Sequence, residues 1–257
     1  MPLRVDPIFA FPLDTSEAAS SIRCVGIIKW AFFENDEVVA EGVVEKEFFA
    51  DEIVAHKAFD KVSRIGVCTV NEVPESISRL FAPAKALFYV NAQSVLTFKS
   101  NYQSMTTLGA DRLALVAAAQ QEYPTQNCLV IDLGTCITYD LKDSNGVYHG
   151  GIISPGCMSR YNAMHKDTYG LPLLDAKSLD KSFGQTTEEC MHLGVIEGVY
   201  HELSGFIAHF SENFTDLTVI LTGGDAHFFE KKLKNSIFAH SNFLLKGIHS
   251  LMKENLN

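Results

Sequence analysis

Apolar positions recur with two different periods along this chain. Leu129 to Leu133 is an apolar run broken only by Asp132, the pattern of a buried strand carrying one acid near its end. Ile137, Tyr139 and Leu141 alternate with polar residues as a return strand, and Asp143-Ser144-Asn145-Gly146 supplies hairpin-turn chemistry before a Gly150-to-Gly156 segment. Upstream, IKWAFFE from Ile28 and EVVAEGVVEKEF form two strands joined by Asn35-Asp36. Phe48 to Lys61 reads as an amphipathic helix, Arg64 to Val70 as a buried strand, and Pro74 as a helix start. Ala86 to Val90 and Ser94 to Phe98 read as short strands. Residues 1–27 carry no readable pattern.

The second half is richer in helical spacing. An Ala-rich helix follows Gly109, with Asp111 at its start. Pro155-Gly156 opens another helix, which is broken at Gly170-Leu171-Pro172. A long helix begins near Thr186 or Thr187, either of which can be its N-cap, with acids in the first turn. Its apolar face is Leu193, Ile196, Tyr200, Leu203, Ile207 and Phe210. Gly194 and Gly198 on that helix suggest close packing against another helix or subunit. Leu217 to Leu221 is a buried strand ending in Thr222-Gly223-Gly224-Asp225, and 242–257 reads as a terminal helix. Strands alternating with helices indicate an α/β architecture.

Composition narrows the class. A chain of 257 residues, 47% hydrophobic and 20% charged, suits a soluble globular protein of one large domain or two smaller ones. A net charge of −10 argues against a nucleic-acid or anionic-membrane surface. No apolar run reaches the roughly 18 residues of a membrane span, and the Pro- and Asp-interrupted N-terminus makes a poor signal peptide. Six scattered cysteines without a CxxC pair point to a reduced cytoplasm.

Three stretches carry candidate chemistry. Gly134-Thr135, behind Asp132, lets the backbone turn tightly so that N–H groups and a hydroxyl approach a polyphosphate; as an ordinary hairpin, the same stretch would use Asp132 to accept turn hydrogen bonds. Asp111-Arg112 behind Gly109 is either a helix N-cap with a surface arginine or a base and an anion-holding guanidinium. Gly223-Gly224 is either a plain strand-to-helix turn or a place where a nucleotide base or ribose lies against the backbone.

Taken in order, Tyr102, Gly109-Ala110-Asp111-Arg112, Ile131-Asp132-Leu133-Gly134-Thr135, Gly150-Gly151, Pro155-Gly156, Gly184-x-x-Thr187 and Thr222-Gly223-Gly224-Asp225 resemble the type III pantothenate kinases. These belong to the superfamily of acetate and sugar kinases, heat-shock ATPases and actin. The resemblance runs from Ile28 to the C-terminus. It implies two actin-like (ribonuclease H-like) α/β domains with a nucleotide cleft between them, the first spanning 1–112 and the second 113–257. It also implies a cytoplasmic homodimer that phosphorylates pantothenate with ATP, the opening step of coenzyme A synthesis, using Mg2+ and a monovalent cation, K+ or NH4+. Carried over, Asp111 is the general base, and Tyr102, Gly109, Ala110, Arg112 and Thr187 line the substrate site. Thr135, Gly134, Gly223 and Gly224 contact ATP, and Asp132 holds the monovalent cation.

One feature departs from the family. Its members open with a strand ending in Asp-x-Gly-Asn-Thr, a loop that wraps the ATP phosphates and helps to hold Mg2+. Counted back from Lys29, those positions here read Ile22-Arg23-Cys24-Val25-Gly26. Either the chain is a non-catalytic or regulatory homologue that binds ligand without turnover, or a shifted reading frame or wrong start precedes Ile28. A kinase or phosphatase of the same superfamily acting on another small alcohol is the third reading.

Overall fold

A computed structural model describes residues 5–10, 27–57, 59, 62–69, 79–80, 86–233, 237–240 and 242–256. The expected helix start at Pro74 and the positions 22–26 lie outside the described residues, as does most of the unpatterned N-terminus. The chain divides into two compact units. One comprises 1–99, 103–122 and 242–257, and the other 100–102 and 123–241. The units are therefore interleaved along the chain, whereas the sequence suggests a single boundary between 112 and 113.

The first unit is built on a five-stranded sheet, order β3-β2-β1-β4-β5. Its strands are β1 (Val5–Ala10), β2 (Ile27–Glu34), β3 (Glu37–Glu45), β4 (Arg64–Cys68) and β5 (Ala86–Tyr89). The β2–β3 hairpin turns at Asn35 and Asp36, with φ of 52° and 72°, the left-handed pair that a two-residue turn requires and that Asn and Asp tolerate. Strand β1 lies where the sequence shows no pattern. It pairs antiparallel with β2 along its whole length, but parallel with β4 only from Ile8 onward. Pro7, which has no N–H to give, thus sits in the half that has one partner strand.

One face of this sheet buries Phe9, Ile28, Trp30, Phe32, Ile65 and Val67 under α1 (Phe49–Ala55). Phe9 and Phe49 meet edge to face at 5.0 Å, and the Trp30 indole N–H donates to Glu52 at 2.8 Å. Helix α1 is shorter than the predicted 48–61. His56 takes an extended backbone and stacks on Phe32 at 4.6 Å, so the chain leaves the helix there. The unit also holds α2 (Ala110–Glu122) and the C-terminal helix.

Ser94–Phe98 is not a strand. Asn91 organises a turn there, with Gln93 N–H donating to its side-chain oxygen at 2.8 Å and Ser94 N–H to its carbonyl at 3.1 Å. The Val95 backbone is then claimed by a side-chain amide: Val95 N–H donates to Asn255 Oδ1 at 2.8 Å, and Asn255 Nδ2 donates to Val95 O at 3.0 Å. Val95 therefore finds its partners on a helix instead of a neighbouring strand.

The second unit carries a sheet of order β11-β10-β7-β8-β9-β6. These strands are β6 (Lys99–Ser100), β7 (Cys128–Leu133), β8 (Cys136–Lys142), β9 (Val147–Pro155), β10 (Thr218–Thr222) and β11 (Ile237–Ala239). The β7–β8 hairpin matches the sequence pattern, whereas Gly150-Gly151, expected to turn, runs inside β9 and pairs with Leu141 and Asp140. Strand β10 runs parallel to β7, with Thr222 opposite Asp132. Helices α3 (Cys157–Asp167) and α4 (Thr187–Asn213) cover one face, where Leu129, Ile131, Tyr139, Tyr161, Val199 and Leu203 are buried. Thr186 is the N-cap of α4: its side chain accepts from Glu189 N–H, and Glu189 accepts from Gln185 N–H at 2.9 Å. An added side-chain carbon at Gly194 or Gly198 would meet nothing within 4 Å, so among the described residues neither packs closely against another segment. The last helix, α5 (Phe243–Leu256), belongs to the first unit and lies against α2, β1, β4 and β5.

Candidate active site

In the second unit, the parallel pair β7–β10 and the antiparallel pair β7–β8 place Asp132 in the middle of the sheet, opposite Thr222 on one side and Thr138 on the other. Past Asp132 the chain turns through Gly134 and Thr135. Gly134 N–H donates to Cys136 O at 3.1 Å. The carbonyl oxygen of Thr135 receives two donors from the start of α3, Gly156 N–H at 3.0 Å and Ser159 Oγ–H at 2.6 Å. A Cβ on residue 156 would stand 2.0 Å from Gly134 O. Only glycine allows the two turns to meet so closely.

The Gly223-Gly224 turn closes on the same loop. Gly223 has φ +95°, and a Cβ there would lie 2.4 Å from Leu133 O and 2.5 Å from Asp132 Oδ1. Asp225 N–H donates to Leu133 O at 3.0 Å. Burial pushes the Asp225 carboxyl above the ordinary aspartate value, and the neighbouring thiol of Cys157 is pushed up to about 12 by its own burial and by the Asp225 charge. The fold thus gathers Asp132, Gly134, Thr135, Gly223 and Gly224 around one loop junction. Thr135 and Gly224 are exposed, so both are open to a ligand.

In the first unit, Gly109, Ala110, Asp111 and Arg112 form the entry to α2. Asp111 turns its carboxylate back on its own helix, where Oδ1 accepts from Arg112 N–H at 2.8 Å. This puts a negative charge at the positive end of the helix. The same Oδ1 fills the space that a Cβ on residue 109 would need, 2.3 Å away. Arg112 is 5% exposed. The surface-arginine reading therefore fails, because long buried guanidinium groups are kept where they have partners.

Tyr102 belongs to the second unit. Its ring stacks on Tyr148 at 5.9 Å and lies over Gly150. Thr187 is the exposed first residue of α4, beside the capping Thr186.

Residues 27–209 match the family model described as type III pantothenate kinase. The type III pantothenate kinase of Christiangramia forsetii is 41% identical over 229 residues, 89% of this chain and 94% of that protein. The one from Bacteroides fragilis (strain ATCC 25285) is 36% identical over 230 residues, with the same two shares.

The chain belongs to the type III pantothenate kinase family.

Two solved structures share its fold. One is the conserved Campylobacter jejuni protein described as a Baf family transcriptional activator, with a TM-score of 0.57, 20% identity and 99% of each chain covered. The other is the ethanolamine utilization protein EutJ of Carboxydothermus hydrogenoformans, with a TM-score of 0.50 and 14% identity over 98% of this chain and 90% of that one. At those identities the likeness speaks for the fold alone. The α/β class is borne out, with one mixed sheet in each unit. Tyr102, Asp111, Asp132, Thr135 and Thr187 all fall inside the matched span 27–209, whereas Gly223 and Gly224 lie beyond it.

Among the described residues, no cluster of three or more His, Cys, Asp or Glu side chains could hold a metal ion. For a cation bound by oxygen there is one suggestive feature. Among the described residues Thr138 Oγ1 is buried without a hydrogen-bond partner, and Thr138 is the cross-strand neighbour of Asp132. A carboxylate beside an orphaned hydroxyl oxygen is a donor set that suits a hard monovalent cation. The sequence does not reveal this hydroxyl, because Thr138 looks like any inward polar residue of an alternating strand. Ser159 is missed for a similar reason: it sits three residues past Gly156 in an otherwise ordinary helix start.

Proposed function

We propose that this kinase transfers the γ-phosphoryl group of ATP to the primary hydroxyl of pantothenate, with Asp111 as general base. The observation that carries this is family membership across nearly the whole chain, 41% identity over 89% of it. Family members use ATP with a divalent metal ion, and phosphoryl transfer asks mainly for positioning and charge neutralisation. In this reading Asp111 accepts the hydroxyl proton as the phosphorus–oxygen bond forms, and ADP leaves with the bridging oxygen. Gly109, Ala110, Arg112, Tyr102 and Thr187 line the pantothenate site. Gly134 and Thr135 contact the phosphates, and Gly223 and Gly224 lie against the rest of the nucleotide.

Asp132, supported by the unpartnered Thr138 hydroxyl, holds K+ or NH4+. Mg2+ accompanies ATP; the positions that the family resemblance would assign to it lie outside the described residues. The working form is a cytoplasmic homodimer without nucleic-acid or membrane partners. The side-chain-free strip of α4 at Gly194 and Gly198 supports a second copy approaching there, and the net charge of −10 supports the absence of nucleic acid. Among the described residues no helix is long and apolar enough to cross a membrane.

The test is an ATP-dependent phosphorylation assay on this chain with pantothenate, Mg2+ and K+, run beside Asp111→Asn. Turnover that the variant loses by at least about a hundredfold supports the assignment. Equal turnover by the variant removes Asp111 from the role of base.

A further inference from the structure

We propose that Ser159, Arg160 and Glu202 are positioning residues that set the Gly134-Thr135 loop for phosphate. This rests on the reading of that loop as the ATP phosphate contact.

Both flanks of the loop are fastened to the end of β9 and the start of α3. Cys136, just after the loop, pairs with Pro155 at the last position of the β8–β9 ladder. The Thr135 carbonyl is held by Gly156 N–H and by the Ser159 hydroxyl. A loop fixed at these points moves only if the β9–α3 junction moves.

That junction is fixed in turn by one guanidinium. Arg160 Nε donates to Pro155 O at 2.9 Å, and its Nη2 donates to Glu202 Oε2 at 2.5 Å. The planar fork of arginine spans the two acceptors, a geometry that lysine cannot reproduce. Glu202 lies on α4 and accepts two further bonds, from Tyr139 Oη at 2.9 Å and from Ser154 Oγ. Its carboxylate therefore joins β8, β9, α3 and α4 at a single point. Burial pushes the Glu202 carboxyl up, but donation from Ser154, Arg160 and Tyr139 outweighs it and leaves the group below the ordinary glutamate value. The Arg160 and Glu202 side chains are 23% and 22% exposed, too sheltered for a surface pair whose geometry water would loosen.

None of the three residues is a ligand contact itself. They act through Thr135, whose side chain is exposed while its carbonyl is held from behind. Losing the Glu202 charge frees Arg160, loosens Pro155-Gly156 and lets the Thr135 turn drift.

The experiment titrates ATP with Mg2+ into the full chain by calorimetry, comparing wild type, Glu202→Gln, Ser159→Ala and the double variant, with thermal melting as the folding control. Steady-state kinetics for both substrates run in parallel. We expect each single variant to bind ATP about five- to tenfold more weakly and to raise the KM for ATP while the KM for pantothenate stays within about twofold. The double variant should be little weaker than Glu202→Gln alone, because both changes act on one loop. Ser159→Ala removes a single hydroxyl from a partly exposed position, so it tests the idea even if the Glu202 variant folds poorly. Folded variants that bind ATP as wild type does, with only a lowered melting temperature, would overturn the inference and leave the network a purely structural one. A wild-type chain that binds no ATP would overturn the reading of the loop itself, and the inference with it.

Discussion

Asp111 Oδ1 lies where a side chain on Gly109 would have to be, with 2.3 Å between the oxygen and the position of the missing Cβ. The absence of a side chain at one residue therefore decides where the carboxylate of another can rest. Gly109→Ala should push the Asp111 carboxylate off its Arg112 N–H and out of line with a bound hydroxyl. A displacement on the order of 1 Å in a reacting group costs roughly a hundredfold. We expect kcat to fall by about 10- to 100-fold, measured at saturating ATP and pantothenate, with little change in melting temperature. A kcat within twofold of wild type would show that Asp111 does not act from this position.

Gly223→Ala should destabilise the fold. The residue has φ +95°, and its Cβ would run into the Leu133 backbone O and N and into Asp132 Oδ1. Left-handed strain and overlap together cost about 2–4 kcal/mol. The urea unfolding midpoint should shift down accordingly at an unchanged slope. An unshifted midpoint would mean that the turn relaxes freely and that its closeness to Asp132 is not enforced.

Thr138→Val separates two uses of a buried hydroxyl. Thr138 Oγ1 has no partner among the described residues, so replacing it with a methyl group should leave stability unchanged or raise it by up to about 1 kcal/mol. If that oxygen serves the cation at Asp132, the K+ concentration for half-maximal activity should rise severalfold in the same variant. K+ dependence identical to wild type would confine the cation to Asp132 and other ligands.

Asp225→Asn should stabilise the protein near neutral pH. The folded-state pKa of Asp225 lies above its ordinary 3.8 because burial disfavours the charge. A raised carboxyl contributes stability that is fully present below the unfolded value and is lost as pH climbs through the folded one. The amide variant never ionises, so its advantage in melting temperature should be absent below about pH 3.8 and grow as pH rises through the acidic range. A difference that stays flat from acid to neutral pH would show that the charge is not the cause.

Much of the molecule was legible before any coordinates. The Asn35-Asp36 hairpin follows from two residues that tolerate positive φ, and the β7–β8 hairpin follows from an apolar run answered by an alternating return strand. The start of α4 could be narrowed to Thr186 or Thr187, and the structure chooses Thr186, whose side chain accepts from Glu189 N–H. These are local signals: each residue declares its conformation through neighbours a few positions away.

Other features were hidden because their cause lies far off in sequence. The Val5–Ala10 strand owes its place to β2 and β4, which reach it across the sheet. Ser94–Phe98 has a strand's composition, but Asn255, 160 residues from Val95, takes the backbone that a strand would have used.

Residue order along the chain establishes which chemistry is present: an aspartate behind a glycine at a helix entry, an aspartate before Gly134-Thr135, and a pair of glycines after a strand. Tertiary structure alone decided which of these share a place. It brought Gly223 within a missing side chain of Asp132, locked Thr135 against Ser159, and set the Arg160–Glu202 pair behind both. The physical reason is one of range. Backbone propensity and hydrophobic periodicity act over a few residues, whereas close contact between distant turns depends on the packing of whole strands and helices, which no short stretch encodes.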